Sequence, residues 1–244
     1  MMRYSIGSRG RIGVIVIDSS RNIEPEFCAM CPQGVSVHAT RVALPQCNVK
    51  GLTEMVESGN LENCVRLLVA ARPDAIIFGG MSASFLKGPG WDQILIQRME
   101  KVSEGIPCTT TTTAVVAAFR ELGIKRISVA TPYLDEVNNL LHNYFIQIGL
   151  EILRIKGLQI EEPIAISNQV PEIVYGLARE VDTPEAEGIF ISCADFATGR
   201  VVEDLEKELK KPIVAAIQAS FWHALKLARV SGAIEGFGML LRRL

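Results

Sequence analysis

No apolar run in this chain reaches the roughly 18 residues that a membrane-crossing helix needs. Positive charge is not in excess either. The formal net charge is −2, so nothing in the balance points to a nucleic-acid partner. No Gly-x-Gly-x-x-Gly turn and no phosphate loop closing on Gly-Lys-Ser or Gly-Lys-Thr follows a predicted strand, which disfavours nucleotides. Histidine is scarce, at three residues, and His38, His142 and His223 cluster with no cysteines or acids in a metal-holding pattern. The expected cofactor is none, and no metal is expected. The first ten residues lack the apolar core of a secretory leader. The expected compartment is the cytoplasm, where disulfides are rare. Neither a nucleic acid nor a membrane is an expected partner, and the chain is expected as a monomer or small homo-oligomer.

What is present is an ordinary globular composition, 48% hydrophobic and 21% charged over 244 residues. That is enough chain for one large domain or two small ones. Short Val/Ile-rich runs alternate with segments of helical period, which predicts α/β architecture with parallel sheets. Predicted strands are 11–17, 35–42, 75–78, a short one within 107–113 that runs into a Thr-rich loop, 126–131, 150–159, 189–193 and 212–217. Predicted helices are 52–71 (broken near Ser58-Gly59-Asn60), 92–104, 114–122, 134–148, 171–181, 201–209 and 218–228.

The stretch Ile189-Phe190-Ile191-Ser192-Cys193-Ala194-Asp195 stands out. It reads as a buried parallel strand that stops at a cysteine. Ligands of open α/β sheets bind at that strand edge. A thiol there serves as nucleophile or acid when its surroundings allow it. Equally, free cysteine is a common core residue. The stretch has a counterpart at 74–84, Asp-Ala-Ile-Ile-Phe-Gly-Gly-Met-Ser-Ala-Ser, which puts Gly80 opposite Cys193 at an offset of 113. Arg11–Val16 resembles Arg126–Thr131 at an offset of 115, and the segments opening at Pro107 and Pro212 match at 105. Three matches in one order predict two homologous, pseudo-symmetric Rossmann-like halves, each a parallel sheet flanked by helices, with the site at their interface. The halves are expected at 1–115 and 116–219, with 220–244 packing back on the first.

Other residues support more than one reading. The loop Asp18-Ser19-Ser20-Arg21-Asn22 suits carboxylate binding as well as a plain turn. The threonines at 109–113 suit a hydroxyl-lined wall as well as a strand. Cys28 and Cys31 form a C-x-x-C pair without a thioredoxin setting and read as incidental. Cys64 reads as core, and Cys108 starts a strand without a charged partner. His38 and His142 read as surface residues, and His223 as a packed helix residue.

Five segments carry a resemblance over nearly the whole chain: Gly80-Met81-Ser82-Ala83-Ser84-Phe85, Pro107-Cys108-Thr109-Thr110, Ala130 through Asn138, Ile191-Ser192-Cys193, and Ala219-Ser220-Phe221-Trp222. The chain resembles the aspartate/glutamate racemase superfamily, most closely its arylmalonate decarboxylases and next its maleate cis-trans isomerases. Racemases and isomerases of this kind carry one cysteine from each half. Here Gly80 and Cys193 hold those two positions, the decarboxylase arrangement. The resemblance implies a cofactor-independent decarboxylase of a malonate-type diacid. One carboxylate would sit among hydroxyls and backbone N–H groups at Ser82, Tyr133 and Cys193-Ala194. The other would sit against apolar walls, leave as carbon dioxide, and give an enediolate that Cys193 protonates. Gly80, Met81, Ser19 and Ser20 complete the expected substrate-binding set. Met81 stands where the decarboxylase has Thr, and Ala194-Asp195 where it has Gly-Gly; a carboxylate at Asp195 disfavours a dianion if it points inward. An isomerase or racemase of a small diacid or amino acid using Cys193 is the alternative. A non-catalytic carboxylate-binding accessory protein is the second.

Overall fold

Eight short runs of mainly β-branched and small residues build two four-stranded parallel sheets. The computed structural model describes residues 5–244. The leader expectation for the first ten residues therefore falls partly outside the described residues. In chain order the first half contains β1 (Gly10–Ile17), α1 (Ile23–Met30), β2 (Val35–Val42), α2 (Val49–Glu57), α3 (Asn60–Val69), β3 (Ala75–Phe78), α4 (Met81–Phe85), α5 (Trp91–Glu100), β4 (Cys108–Thr110) and α6 (Thr111–Leu122). The second contains β5 (Arg126–Thr131), α7 (Asp135–Gln147), β6 (Glu151–Gly157), α8 (Pro163–Ser167), α9 (Pro171–Val181), β7 (Gly188–Ile191), α10 (Val201–Leu209), β8 (Ile213–Ala215), α11 (Ala216–Leu227) and α12 (Met239–Arg242).

The sheet orders are β2-β1-β3-β4 and β6-β5-β7-β8, the same winding twice. The registers repeat too. Ile12 pairs with Ala75 as Ile127 pairs with Gly188, and Ile76 pairs with Cys108 as Ile189 pairs with Ile213. Those pairings reproduce the sequence offsets of 115, 113 and 105 residues. Central strands are covered on both faces, which is why they read as unbroken apolar runs. In β1, Ile12, Val14, Ile15 and Val16 are all fully buried. The edge strands β2 and β6 are half exposed along most of their length.

In each sheet the winding direction reverses between the first and third strands, so their C-terminal loops lie side by side. This is where open sheets place ligands. The loop after β1 lies beside Gly79-Gly80; the loop after β5 lies beside Ser192-Cys193.

Local details differ from the sequence expectation in places. The predicted helix 52–71 is two helices, α2 and α3, separated at Ser58-Gly59; Gly59 takes a left-handed φ of 75°. Helix α6 starts at Thr111, so Thr111, Thr112 and Thr113 form its first turn and Thr110 caps it, accepting from the Thr113 amide at 3.2 Å. The threonines do not line the cavity described below. Helices α1, α4 and α8 lie in stretches to which the sequence assigns no strand or helix. The two helices that follow the last strand of each sheet interleave. Helix α6 packs on β4 and also on β8, while α11 packs on β8 and also on β3, β1 and α1. Phe27 of α1 meets Phe221 of α11 with ring centroids 4.9 Å apart.

Candidate active site

A cavity of about 480 Å³, counted to its mouth, opens between the C-terminal edges of the two sheets. It brings together all eight residues singled out from the sequence: Ser19, Ser20, Gly80, Met81, Ser82, Tyr133, Cys193 and Ala194. Ile17, Leu44, Leu52, Met55, Pro163 and Ile166 supply its apolar walls.

Cys193 sits just past β7, where the Ser192 amide still donates to the Ala130 carbonyl at 2.8 Å. Its φ is +139°, a conformation that L-residues rarely adopt and that persists only where the surroundings enforce it. The Asp195 amide donates to its Sγ at 3.3 Å. Burial pushes the Cys193 thiol well above its ordinary range; the Asp195 carboxylate and the Cys47 thiol nearby add to this, while the hydrogen bond from the Asp195 amide opposes it. Its surroundings therefore disfavour the thiolate.

Tyr133 is fixed by its backbone. Its amide donates to Thr131 Oγ1 at 3.2 Å, and Asn138 Nδ2 donates to its carbonyl at 3.2 Å. The Thr131 hydroxyl in turn donates to Asn138 Oδ1 at 2.7 Å. Its ring stands edge-on to Phe85 of the first half, with centroids 6.4 Å apart. The phenol is 1% exposed and its hydroxyl has no partner within hydrogen-bond geometry. Burial raises its pKa far above the usual 10, with the Cys193 and Cys47 thiols adding. The Ser19 hydroxyl is likewise buried and unpartnered. A buried donor left unmade is costly, so both hydroxyls suit a ligand's oxygens.

Gly80 presents no thiol, and its surroundings leave none room. A Cβ built there would lie within 2.8 Å of three carbons of the Phe78 ring, itself 1% exposed. The Phe78 ring thus occupies the space that a side chain at position 80 would take.

Asp195 does not point its charge freely into the cavity. Its carboxylate accepts from Ser20 Oγ at 2.6 Å, the Asn22 amide at 3.0 Å, the Arg21 amide at 3.2 Å and Ser167 Oγ. Asn22 Nδ2 donates back to the Asp195 carbonyl at 2.8 Å. Ser20, expected to bind substrate, is committed to this carboxylate instead. Burial raises the Asp195 pKa, with the Ser167, Ser20, Asn22 and Arg21 bonds opposing. A mirror-image clasp runs the other way. Glu26 of α1 accepts from the Thr198 amide at 2.6 Å and from Thr198 Oγ1 at 3.0 Å. Burial lifts its pKa from 4.5 to about 7.

The sequence reading missed Cys47. It lines the cavity from the β2–α2 loop, 4% exposed, with its amide held by the Glu161 carbonyl at 2.8 Å. Burial pushes its thiol to about 11, opposed by hydrogen bonding with Ser82. No motif marks it, because the loop that carries it has no periodicity. The other candidates lie elsewhere. His223 Nδ1 is 3.0 Å from the Thr109 hydroxyl, and burial lowers its pKa to about 4. Cys28 and Cys31 close α1 away from the cavity, and Cys64 donates to the Arg41 carbonyl at 3.2 Å. Among the described residues no three His, Cys, Asp or Glu are grouped to hold a metal ion, and no helix is long and apolar enough to cross a membrane.

The sequence model of the arylmalonate decarboxylase family matches residues 12–241. The chain belongs to this family. A family member from Bordetella bronchiseptica, named arylmalonate decarboxylase, is 27% identical over 235 residues, covering 94% of this chain and 95% of that protein. Maleate isomerase of Pseudomonas putida is 25% identical over 243 residues, covering 95% and 96%. A solved cysteine mutant of Nocardia farcinica maleate cis-trans isomerase, holding a covalently bound succinylcysteine intermediate, superposes with a TM-score of 0.89 at 24% identity, covering 96% of this chain and 98% of that one. The arylmalonate decarboxylase family and these relatives make this a member of an enzyme group of decarboxylase and isomerase type, whose named substrates are small dicarboxylates.

Proposed function

We propose that this protein is a cofactor-independent decarboxylase of a malonate-type dicarboxylic acid. One observation carries the reading: Cys193 puts a buried thiol on the cavity, while at the equivalent strand end of the other half, Gly80, the Phe78 ring already occupies the side-chain space. A site with one acid on one side suits a reaction that adds one proton to one face of a carbanion.

The steps follow from the walls. The carboxylate that stays accepts from the Tyr133 and Ser82 hydroxyls and the backbone at Cys193-Ala194, donors placed before the charge develops. The carboxylate that leaves lies against Leu44, Leu52, Met55 and Ile166, which give its charge nothing to bond to. The bond between the α-carbon and that carboxylate breaks, carbon dioxide departs, and the electron pair remains as an enediolate. The Cys193 S–H proton then passes to the α-carbon. The thiolate left behind recovers its proton from water at the cavity mouth. A thiol is the right acid here, since it holds its proton at neutral pH yet surrenders it to a carbanion.

The test is carbon dioxide release from a panel of 2-substituted malonates by the wild type beside Cys193→Ala. Release that depends on Cys193 supports the reading; equal rates in the two proteins sink it. The second thiol in the cavity, Cys47, favours one other reading, an isomerase or racemase of a small diacid or amino acid in which two thiols face the substrate. That reading expects maleate turnover, or wash-in of deuterium at a stereocentre, without carbon dioxide.

A further inference from the structure

The Asp195 carboxylate occupies a donor set of the kind that binds carboxylate ligands. Two hydroxyls, Ser20 Oγ and Ser167 Oγ, and two consecutive amides, Arg21 and Asn22, converge on it. Charge-assisted bonds of this type are stronger than neutral ones and are formed by proteins around carboxylates from outside as readily as from within. The set spans both halves, since Ser20, Arg21 and Asn22 follow β1 while Ser167 ends α8. Asp195, Ser20 and Ser19 all line the cavity. Elsewhere on the same cavity the Tyr133 hydroxyl is buried with no partner at all. The cavity's polar groups are therefore of two kinds, those already bonded to a carboxylate of the chain and those still open, the Tyr133 and Ser19 hydroxyls.

We infer that Asp195 acts as a built-in carboxylate that fills one of the cavity's two carboxylate-holding donor sets and thereby determines substrate specificity. A ligand then finds one set of polar partners, at Tyr133, Ser82 and the Cys193-Ala194 turn. An acid that anchors a single carboxylate fits, including a malonate whose second carboxylate is to be lost. A four-carbon diacid, which keeps both carboxylates and needs partners for each, meets an occupied set and a fixed negative charge. The preference for malonates rests on the decarboxylase reading; the filling of the donor set does not.

The experiment removes the internal carboxylate with Asp195→Ala and offers small ones from solution. Formate and acetate are compared with chloride at equal ionic strength, and thermal unfolding is followed. Formate raises the unfolding midpoint of Asp195→Ala, by mass action on an emptied site, and leaves wild type and Asp195→Asn unmoved. Calorimetry with succinate reads the specificity: Asp195→Ala binds it at least about tenfold more tightly than wild type. Should the alanine variant not fold, Asp195→Ser leaves the same room for formate and carries both readouts. Formate no better than chloride, or succinate affinity within twofold of wild type, overturns the inference. Carbon dioxide release by wild type is measured alongside. Its absence with the formate effect intact sinks the decarboxylase reading alone; its presence without the formate effect sinks the inference alone.

Discussion

The ends of β3 and β7 are equivalent in winding and in register, and they end in opposite ways. After β3 the chain runs Phe78-Gly79-Gly80, and the aromatic ring folds over the glycine. After β7 it runs Ile191-Ser192-Cys193, and the thiol is held at an unusual φ of +139°. The scaffold is duplicated while the two strand ends are not. A pair of matched sheets needs matched packing, which the core residues supply, and the difference is confined to the loop residues that follow, with no change in strand order.

The comparison breaks most completely at Cys193. In Cys193→Ala, carbon dioxide release falls by about 10²–10⁴-fold, the worth of a general acid. Unfolding by urea moves little, because a small apolar side chain replaces another. Gly80→Cys tests the other edge. It makes the two halves alike in sequence, yet its side chain meets the buried Phe78 ring and costs roughly 1–3 kcal/mol of stability, as overpacking does. Phe78→Leu in the same chain restores most of that loss, read from urea midpoints; a Gly80→Cys protein as stable as wild type would show the ring to be no obstacle.

The two carboxylate clasps give a third contrast. Burial holds the Glu26 carboxyl at about 7 against an ordinary 4.5. The native protein keeps a proton there that the unfolded chain releases as pH rises between those values. Wild type therefore loses about 3 kcal/mol of stability relative to Glu26→Gln across that window, and the stability is fully present below pH 4.5. Urea unfolding across the window, for both proteins, checks the sign. The smallest effect is expected at Cys47. Cys47→Val keeps carbon dioxide release within about threefold, since the proposed proton donor is Cys193. A larger loss of turnover there would favour the two-thiol reading instead.

Much of this architecture is visible in the residues themselves. The apolar runs at Arg11–Ile17, Ala75–Phe78 and Ile189–Ile191 mark buried parallel strands, and their spacing gives the duplication to the residue. The cavity-lining role of Cys193, Gly80, Ser82 and Tyr133 is legible because these residues sit at strand ends, where position follows from topology. Cys47 was not legible: its loop bears no periodic signal, and its place in the cavity depends on a tertiary contact with Glu161. The partners of Asp195 were hidden for the same reason, since Ser20 and Ser167 are 147 residues apart in sequence and meet only across the halves. The short helices α1, α4 and α8 went unseen because five to eight residues carry too little pattern to distinguish a turn of helix from a loop.

The interleaving of α6 and α11 bears on how the chain comes together during synthesis. β1 and β3 gain part of their cover from α11, which lies at Ala216–Leu227. When the first sheet leaves the ribosome its strands can pair, but one flank stays bare until almost the whole chain has followed. Until residues 216–227 have emerged, Phe27 lacks the ring of Phe221 that covers it in the folded protein. The covering of the first sheet is therefore completed by one of the last elements of the chain rather than within the first half.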